Sequence, residues 1–489
     1  MIGRDMSIIF KIVPGFALLL FAIVSRAPFF NFPVIEWDEA TFILLGQDLL
    51  NGNLPYTNLW DIKPPLLFYI MAVLDFLSNG DLYTLRLFGS IYTGAVLIVC
   101  YRLMLEKVSP IGAFAGTLFI SYFVSMQYPY IGSEHIAMLF VILPVVILLK
   151  AKEGNLLVYS VTGALVCCAP LIRMNLALFS AFFGFYVFLD SYFRFGIKKS
   201  LMLSLFFILG ASSVFAIVTF PYLVTGNFKL LIDSVFTASL SYAGSSYSMV
   251  EVFLEQLRFY FSSVPKLLFL ISALFFLVSF MALKDFRANT AVRLVMLMLV
   301  AIEFSILKGG RWFNHYSIQV VPFAVIGFMW ALNHLYFKFF SKELIYKSLL
   351  ICFCVILIGI TTISAKSRYK GLVASNNEIS SIKAFLEKHT TSDDNIVFFQ
   401  YHILAWLMGK EIVRPSLSHP SNVYKTFLLI HMPTAEHTID SELDKIVKAD
   451  AKYIVLSEWD YKHLERISSF VENYSLIKNF GSVEVYGRK

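Results

Sequence analysis

Between Phe29 and Ile62 the chain carries five carboxylates, Glu36, Asp38, Glu39, Asp48 and Asp61, and no Lys or Arg. Acids without local counter-charges beside a long apolar run call for a chemical reason. Further along stand Lys63 before Pro64-Pro65, Glu134 next to His135, Arg173 and Asn175, and the segment Arg311, Asn314, His315 and Tyr316. Carboxylates take protons, whereas Lys and Arg hold phosphates, so this mixture suits a phosphorylated substrate that also needs a proton removed.

The backbone around these residues is partly dictated by the sequence. The stretch Glu39 to Leu50, ended by Asn51-Gly52, reads as a short amphipathic helix lying along an interface, with Asp38 near its N-terminus. The helix dipole there keeps a carboxylate ionised, as a general base requires. Pro64 disfavours the α conformation at Lys63 and holds that cation on extended chain ahead of a new helix. Gly309-Gly310 sets Arg311 at a flexible junction before an apolar run, where a guanidinium can bind a lipid phosphate with two hydrogen bonds.

What positions these groups is a membrane. Of 489 residues 58% are hydrophobic and 15% charged, and mean hydropathy is +0.72, more apolar surface than a soluble core can hide. Eleven runs approach the ~20 residues needed to cross a bilayer: near 8–28, 82–101, 110–128, 134–149, 155–172, 175–191, 200–224, 264–283, 291–307, 314–335 and 345–364. The first lacks a small-residue cleavage site and is expected to remain as an anchor. With the N-terminus inside, the inner ends hold Arg4 and Lys11, Arg102 and Lys107, Lys150 and Lys152, Arg194, Lys198 and Lys199, Lys284, Arg287 and Arg293, and Lys338, Lys342 and Lys347. This count requires Leu66–Leu77 to stay at the outer face, as its length suggests. The candidate residues then gather on the outer side, and the basic inner loops account for the formal charge of +7 without nucleic acid.

Beyond residue 366 Ser, Asn, Lys and Asp replace Phe and Leu. The division predicts a membrane domain over 1–366 and an outer domain over 367–489. In the latter, helical spacing at Ile379–His389, Ser441–Ala449 and Asp460–Tyr474 alternates with strand-like runs at Asn395–Tyr401 and Tyr453–Leu456, a small α/β arrangement. Its histidines, His402, His419, His431 and His437, read as surface or structural residues. The five cysteines all fall in predicted spans, where they act as small apolar residues, with no disulfide or metal site expected from them.

Four segments carry a family resemblance: Trp37-Asp38-Glu39-Ala40, Lys63-Pro64-Pro65-Leu66-Leu67-Phe68-Tyr69, Gly132-Ser133-Glu134, and Gly310-Arg311-Trp312-Phe313-Asn314-His315-Tyr316 followed by Gln319 and Pro322. In these the chain resembles the GT-C membrane glycosyltransferases of the family 39 branch, which includes protein O-mannosyltransferases and lipid A aminoarabinose transferases. The resemblance implies a polytopic α-helical membrane protein of GT-C type, with about eleven spans, interfacial helices in the first outer loop and a C-terminal α/β domain. It also implies inverting transfer of a sugar from a polyprenyl-phosphate carrier to an envelope lipid, glycan or protein on the outer, periplasmic face of a bacterial inner membrane. Asp38 would be the general base, with Glu39 and Glu134 positioning acceptor or sugar beside His135, Asn314, His315 and Tyr316. Lys63, Arg311 and Arg173 would hold the carrier phosphate, and no cofactor is implied. Some relatives carry a structural metal. Here Glu134 and His135 are adjacent with no histidine cluster nearby, so none is expected.

Each residue also has a plainer reading. Glu36, Asp48 and Asp61 can be solvated loop acids, Asp38 a helix N-cap, His135 a structural hydrogen-bonding group, and His315 and Tyr316 interfacial anchors. Arg173 can pair with Glu134. Two rival classes use the same features. A transporter or flippase of an anionic lipid would place its charges at mid-membrane with internal symmetry, and none is detected. A sensor or scaffold would leave the acidic first loop without a task.

Overall fold

The computed structural model describes residues 2–150, 154–244, 247–340 and 342–489, giving backbone alone for 2–12 and 126. Lys152 therefore lies outside the described residues, as do the side chains of Arg4 and Lys11. The chain forms two compact units that do not follow sequence order. One comprises Met1–Pro28, Arg86–Val218 and Ser246–Lys366; the other comprises Phe29–Leu85, Thr219–Ser245 and Ser367–Lys489.

The first unit is helical, and each apolar run expected to cross the membrane has become a helix. Among the described residues, eight helices are long and apolar enough to span a bilayer: Leu82–Met104, Ser133–Lys150, Met174–Phe195, Ile197–Val224, Val264–Ala282, Thr290–Lys308, Asn314–Phe339 and the apolar part of Glu343–His389. Shorter apolar helices cover Val13–Phe29, Pro110–Ser125 and Leu156–Ile172. Helices suit a bilayer because every backbone amide finds its partner within the segment. Their outer faces carry bare apolar side chains, such as Leu201, Leu205 and Ile208 on one helix and Ile271, Leu274 and Val278 on another, for which lipid is the fitting neighbour.

Small residues set the closest helix approach. A Cβ built on Gly163 would stand 1.9 Å from the Phe207 carbonyl oxygen, and one on Gly210 would stand 1.9 Å from that of Ser160. The helices Leu156–Ile172 and Ile197–Val224 thus cross backbone to backbone, the arrangement by which apolar helices gain contact when lipid offers no hydrophobic drive. A buried arginine ties three segments together: the Arg26 guanidinium donates to Thr93 Oγ1 and to the carbonyls of Pro129 and Tyr130.

In the second unit, Trp37–Leu50 and Pro65–Ser78 pack as a helix pair. The close approach falls at Gly46, whose Cβ would lie 2.9 Å from the Ala72 nitrogen. The second helix has 14 residues, too few to cross, which agrees with its expected place outside the spans. The first departs from expectation, because its residues from Glu39 to Gly46 are all buried. It is a helix packed within the protein rather than an amphipathic one with a solvated face. Trp60 stitches the unit, its Nε1 donating to Ser234 Oγ at 2.9 Å and its backbone N–H to Ser418 Oγ at 3.2 Å.

The C-terminal part of this unit holds a four-stranded sheet of β1 Ile396–Phe398, β2 Tyr453–Ser457, β3 Tyr474–Asn479 and β4 Val483–Arg488, ordered β1-β2-β4-β3. β1 and β2 run parallel, and β4 is antiparallel to both its neighbours. The helix Ile439–Val447 supplies Leu443, Ile446 and Val447 to a core shared with Val397, Ile454 and Leu456. Two expectations need correction. The helix expected over Asp460–Tyr474 is two short helices, Glu458–Leu464 and Ser468–Asn473, after which Tyr474 opens the unforeseen β3–β4 hairpin. The last span and the expected helix at Ile379–His389 are one 47-residue helix, Glu343–His389, which contains no proline to break it. Residue 366 marks a change of surroundings rather than a helix end.

Candidate active site

The Trp37–Leu50 helix begins with Glu36 as its N-cap, in extended backbone, with the side chain accepting from Trp37 N–H at 3.2 Å. Asp38 is therefore not the cap but sits in the first helical turn, beside a fully buried Glu39. Its side chain keeps a quarter of its surface exposed, and Oδ1 lies 3.3 Å from His419 Nε2. The Trp37 ring lies 6.2 Å from His419 and 5.9 Å from His402. His402 Nε2 stands 3.0 Å from Thr41 Oγ1, whose hydroxyl donates to the Trp37 carbonyl at 3.2 Å. With its hydrogen spent there, Thr41 accepts from His402, which fixes the His402 tautomer. Burial, helped by the neighbouring His419, pushes the His402 pKa down to about 3 and keeps the ring neutral.

The remaining acids of this stretch serve the loop after the helix. Asp48 accepts from Asn53 Nδ2 at 2.8 Å, Asn58 Nδ2 at 2.7 Å and Leu59 N–H at 3.2 Å, while Asp61 accepts from Lys63 N–H at 2.9 Å. Both are buried rather than solvated. Tyr56, buried with φ of +76°, donates its hydroxyl to the Lys63 carbonyl at 2.6 Å. Burial, with Asp61 and Tyr69 nearby, raises the Tyr56 phenol well above its usual range, so it stays a donor. Pro64 follows in extended conformation as the N-cap of Pro65–Ser78. The Lys63 main chain is thus held from both sides, and a left-handed tyrosine is the kind of strain found where a loop has a task.

A second cluster lies within the helical unit. Glu134, 1% exposed, opens the Ser133–Lys150 helix. Its Oε1 binds the Arg173 guanidinium and lies 3.3 Å from His315 Nε2. Arg173, in extended backbone just after the Leu156–Ile172 helix, also donates to Ser133 Oγ at 2.9 Å and lies 4.3 Å above the Tyr316 ring. Asn175 Nδ2 donates to Gln319 Oε1 at 3.2 Å. His315 and Tyr316 belong to the 3₁₀ turn Asn314–Tyr316 ahead of Ser317–Phe339, with Asn314 exposed. Arg311 follows Gly310, whose φ of +68° suits glycine and whose carbonyl accepts from Tyr247 N–H at 3.0 Å. His135 commits both ring nitrogens to backbone, its Nε2 donating to the Val124 carbonyl at 2.8 Å and its Nδ1 accepting from Gly132 N–H at 3.3 Å.

The sequence-derived candidates therefore sort by unit. Asp38, Glu39 and Lys63 belong to one, while Glu134, His135, Arg173, Arg311, Asn314, His315 and Tyr316 belong to the other. His402, expected as a surface or structural residue, is a buried structural histidine, whereas sequence reading misses that His419 faces Asp38 and that Tyr56 clasps Lys63. No local spacing could have found the histidines, since they follow Asp38 by more than 360 residues. Among the described residues, no three His, Cys, Asp or Glu side chains stand close enough to share a metal ion.

This arrangement of spans, a helical first loop and a C-terminal α/β part is a fold of GT-C type. The chain superposes on ArnT from Cupriavidus metallidurans, solved bound to undecaprenyl phosphate, with a TM-score of 0.62 and 14% identity over 99% of this chain and 98% of that one. It also matches the archaeal oligosaccharyltransferase AglB from Archaeoglobus fulgidus, solved with an inhibitory peptide and a dolichol-phosphate. That TM-score is 0.53, with 11% identity over 98% of this chain and 75% of AglB. In sequence, a 98-residue stretch is 29% identical to the dolichol phosphate-mannose mannosyltransferase of Haloferax volcanii, spanning 19% of this chain and 21% of that protein. No protein-family model matches the chain.

Proposed function

We propose that this protein transfers a sugar from a polyprenyl-phosphate carrier to an acceptor hydroxyl of the cell envelope, on a lipid such as lipid A or its core, another glycan or a protein. The observation that carries the reading is Asp38 itself: a part-exposed carboxylate in the first turn of a buried helix, held 3.3 Å from a histidine nitrogen. Asp38 takes the proton of the acceptor O–H, and the freed oxygen attacks the anomeric carbon. The bond from that carbon to the carrier oxygen breaks, and the phosphate leaves with the bonding pair. One displacement inverts the anomeric centre. A departing phosphate is already anionic and needs cations more than an acid, the role given to Lys63 and Arg311. Glu134, with Arg173 and His315 on its carboxylate, orients the sugar, and Glu39 backs Asp38. The polyprenyl phosphates bound by ArnT and AglB in their solved structures support this class of donor.

The reading places the protein in the inner membrane with the N-terminus cytoplasmic and residues 367–489 on the outer side, where they help select the acceptor. The test is mass spectrometry of envelope glycolipids and glycoproteins from cells carrying the wild-type chain or Asp38→Asn. A defined sugar mass missing from one acceptor in the mutant, with the protein inserted and folded, is the expected result. Matching profiles would remove Asp38 as the base.

A further inference from the structure

The segment His419–Lys425 contacts Asp38 through one residue, and its own hydrogen bonds form an ordered chain behind that contact. His419 precedes the 3₁₀ helix Pro420–Tyr424, and Lys425 follows it. Lys425 Nζ lies 2.8 Å from Ser421 Oγ, Ser421 Oγ lies 2.9 Å from His419 Nδ1, and His419 Nε2 lies 3.3 Å from Asp38 Oδ1. The two ends set the direction, for an ammonium can only donate and an ionised carboxylate can only accept. Lys425 therefore donates to Ser421, Ser421 donates to Nδ1, and the ring proton sits on Nε2 facing Asp38. The Trp37 ring, beside His419, helps fix the imidazole, which is only 17% exposed.

We propose that Lys425, Ser421 and His419 form a positioning relay for Asp38, in which His419 orients the carboxylate and the lysine charge at the far end favours its ionised form. The inference rests on Asp38 being the base, and it makes the C-terminal part of the chain a working piece of the catalytic machinery and not only a reader of acceptors. Glutamine at position 419 keeps an N–H donor within reach of Asp38, whereas alanine and phenylalanine remove it.

The test uses the full-length protein with two readouts. In cells, the rate at which the acceptor identified by the Asp38→Asn comparison gains its sugar is expected to fall about tenfold in His419→Ala and His419→Phe, the scale of one charge-assisted hydrogen bond. It recovers to within about threefold of wild type in His419→Gln, and Ser421→Ala and Lys425→Met give smaller losses of about threefold. On purified protein, a carbodiimide, which labels protonated carboxyls, is expected to modify Asp38 several-fold faster in His419→Ala than in wild type or His419→Gln. Unchanged rate and labelling in His419→Ala would overturn the relay, as would His419→Gln being as impaired as His419→Ala with labelling unmoved. Loss of product in Asp38→Asn alongside either result leaves the base assignment standing; full product in Asp38→Asn removes the base itself.

Discussion

His315 Nε2 stands 3.3 Å from Glu134 Oε1, and the same oxygen binds the Arg173 guanidinium. One buried carboxylate thus holds two groups from separate segments, and removing either member of its ion pair with Arg173 leaves the other charge uncompensated. Glu134→Leu is expected to destabilise the protein by about 3–5 kcal/mol, the range for breaking a buried pair from one side. Adding Arg173→Met to it should restore part of that loss, since the stranded cation goes too. Unfolding of the three proteins in matched detergent checks this, and a double mutant worse than the single would reject the pairing argument.

On the proposed function, Lys63 and Arg311 hold the carrier phosphate. Replacing either with alanine should weaken undecaprenyl phosphate binding by about tenfold or more, since a hydrogen bond to a charged group contributes about 1.5–3 kcal/mol. Titration of the lipid into protein in nanodiscs reads this directly, and unchanged affinity in both variants would reject the role.

The neutral, buried His402 makes stability depend on pH. Its pKa is about 3 in the folded protein and near 6.5 in the unfolded chain. The unfolded state therefore takes up a proton that the native state refuses, and stability falls as pH drops below about 6.5, by at most about 1.4 kcal/mol per unit, until the native ring also titrates. Apparent melting temperatures from pH 7 to pH 4.5 should decline less steeply in His402→Gln, which keeps a donor for Thr41. Parallel slopes would mean that other groups dominate.

The Gly163–Phe207 approach leaves no room for a methyl group. Gly163→Ala must push a carbonyl aside and is expected to cost about 1–3 kcal/mol or more. Gly184→Ala is the control, because its Cβ would meet the Phe207 ring at 3.4 Å, an ordinary contact. Equal melting temperatures for the two variants would contradict the crossing.

Sequence reading reached furthest where a short-range rule decides the outcome. The spans follow from apolar runs of bilayer length, and the helix start at Pro65, after an extended Pro64, follows from two prolines suited to that position. It failed where the cause is distant. Glu36 and Asp38 are equally good caps by type, and only the backbone shows that Glu36 takes the role. Asp48 and Asp61 look like solvated acids until Asn53, Asn58 and the amides of Leu59 and Lys63 fold back on them. The Trp37–Leu50 helix reads as amphipathic, yet Pro65–Ser78 and Ile403–Leu407 pack on it and its residues from Glu39 to Gly46 are all buried. Nothing near Asp38 announces His419.

That separation has a consequence for the timing of synthesis. The ribosome completes the Trp37–Leu50 helix early and reaches His419 roughly 370 residues later, an interval of about 20–75 s at 5–20 residues per second. Throughout it Asp38 has no histidine beside it and no lysine behind that histidine. If Asp38 is the base and His419 its positioning partner, a nascent chain that has not reached residue 419 carries the base without its orienting group, as His419→Ala does.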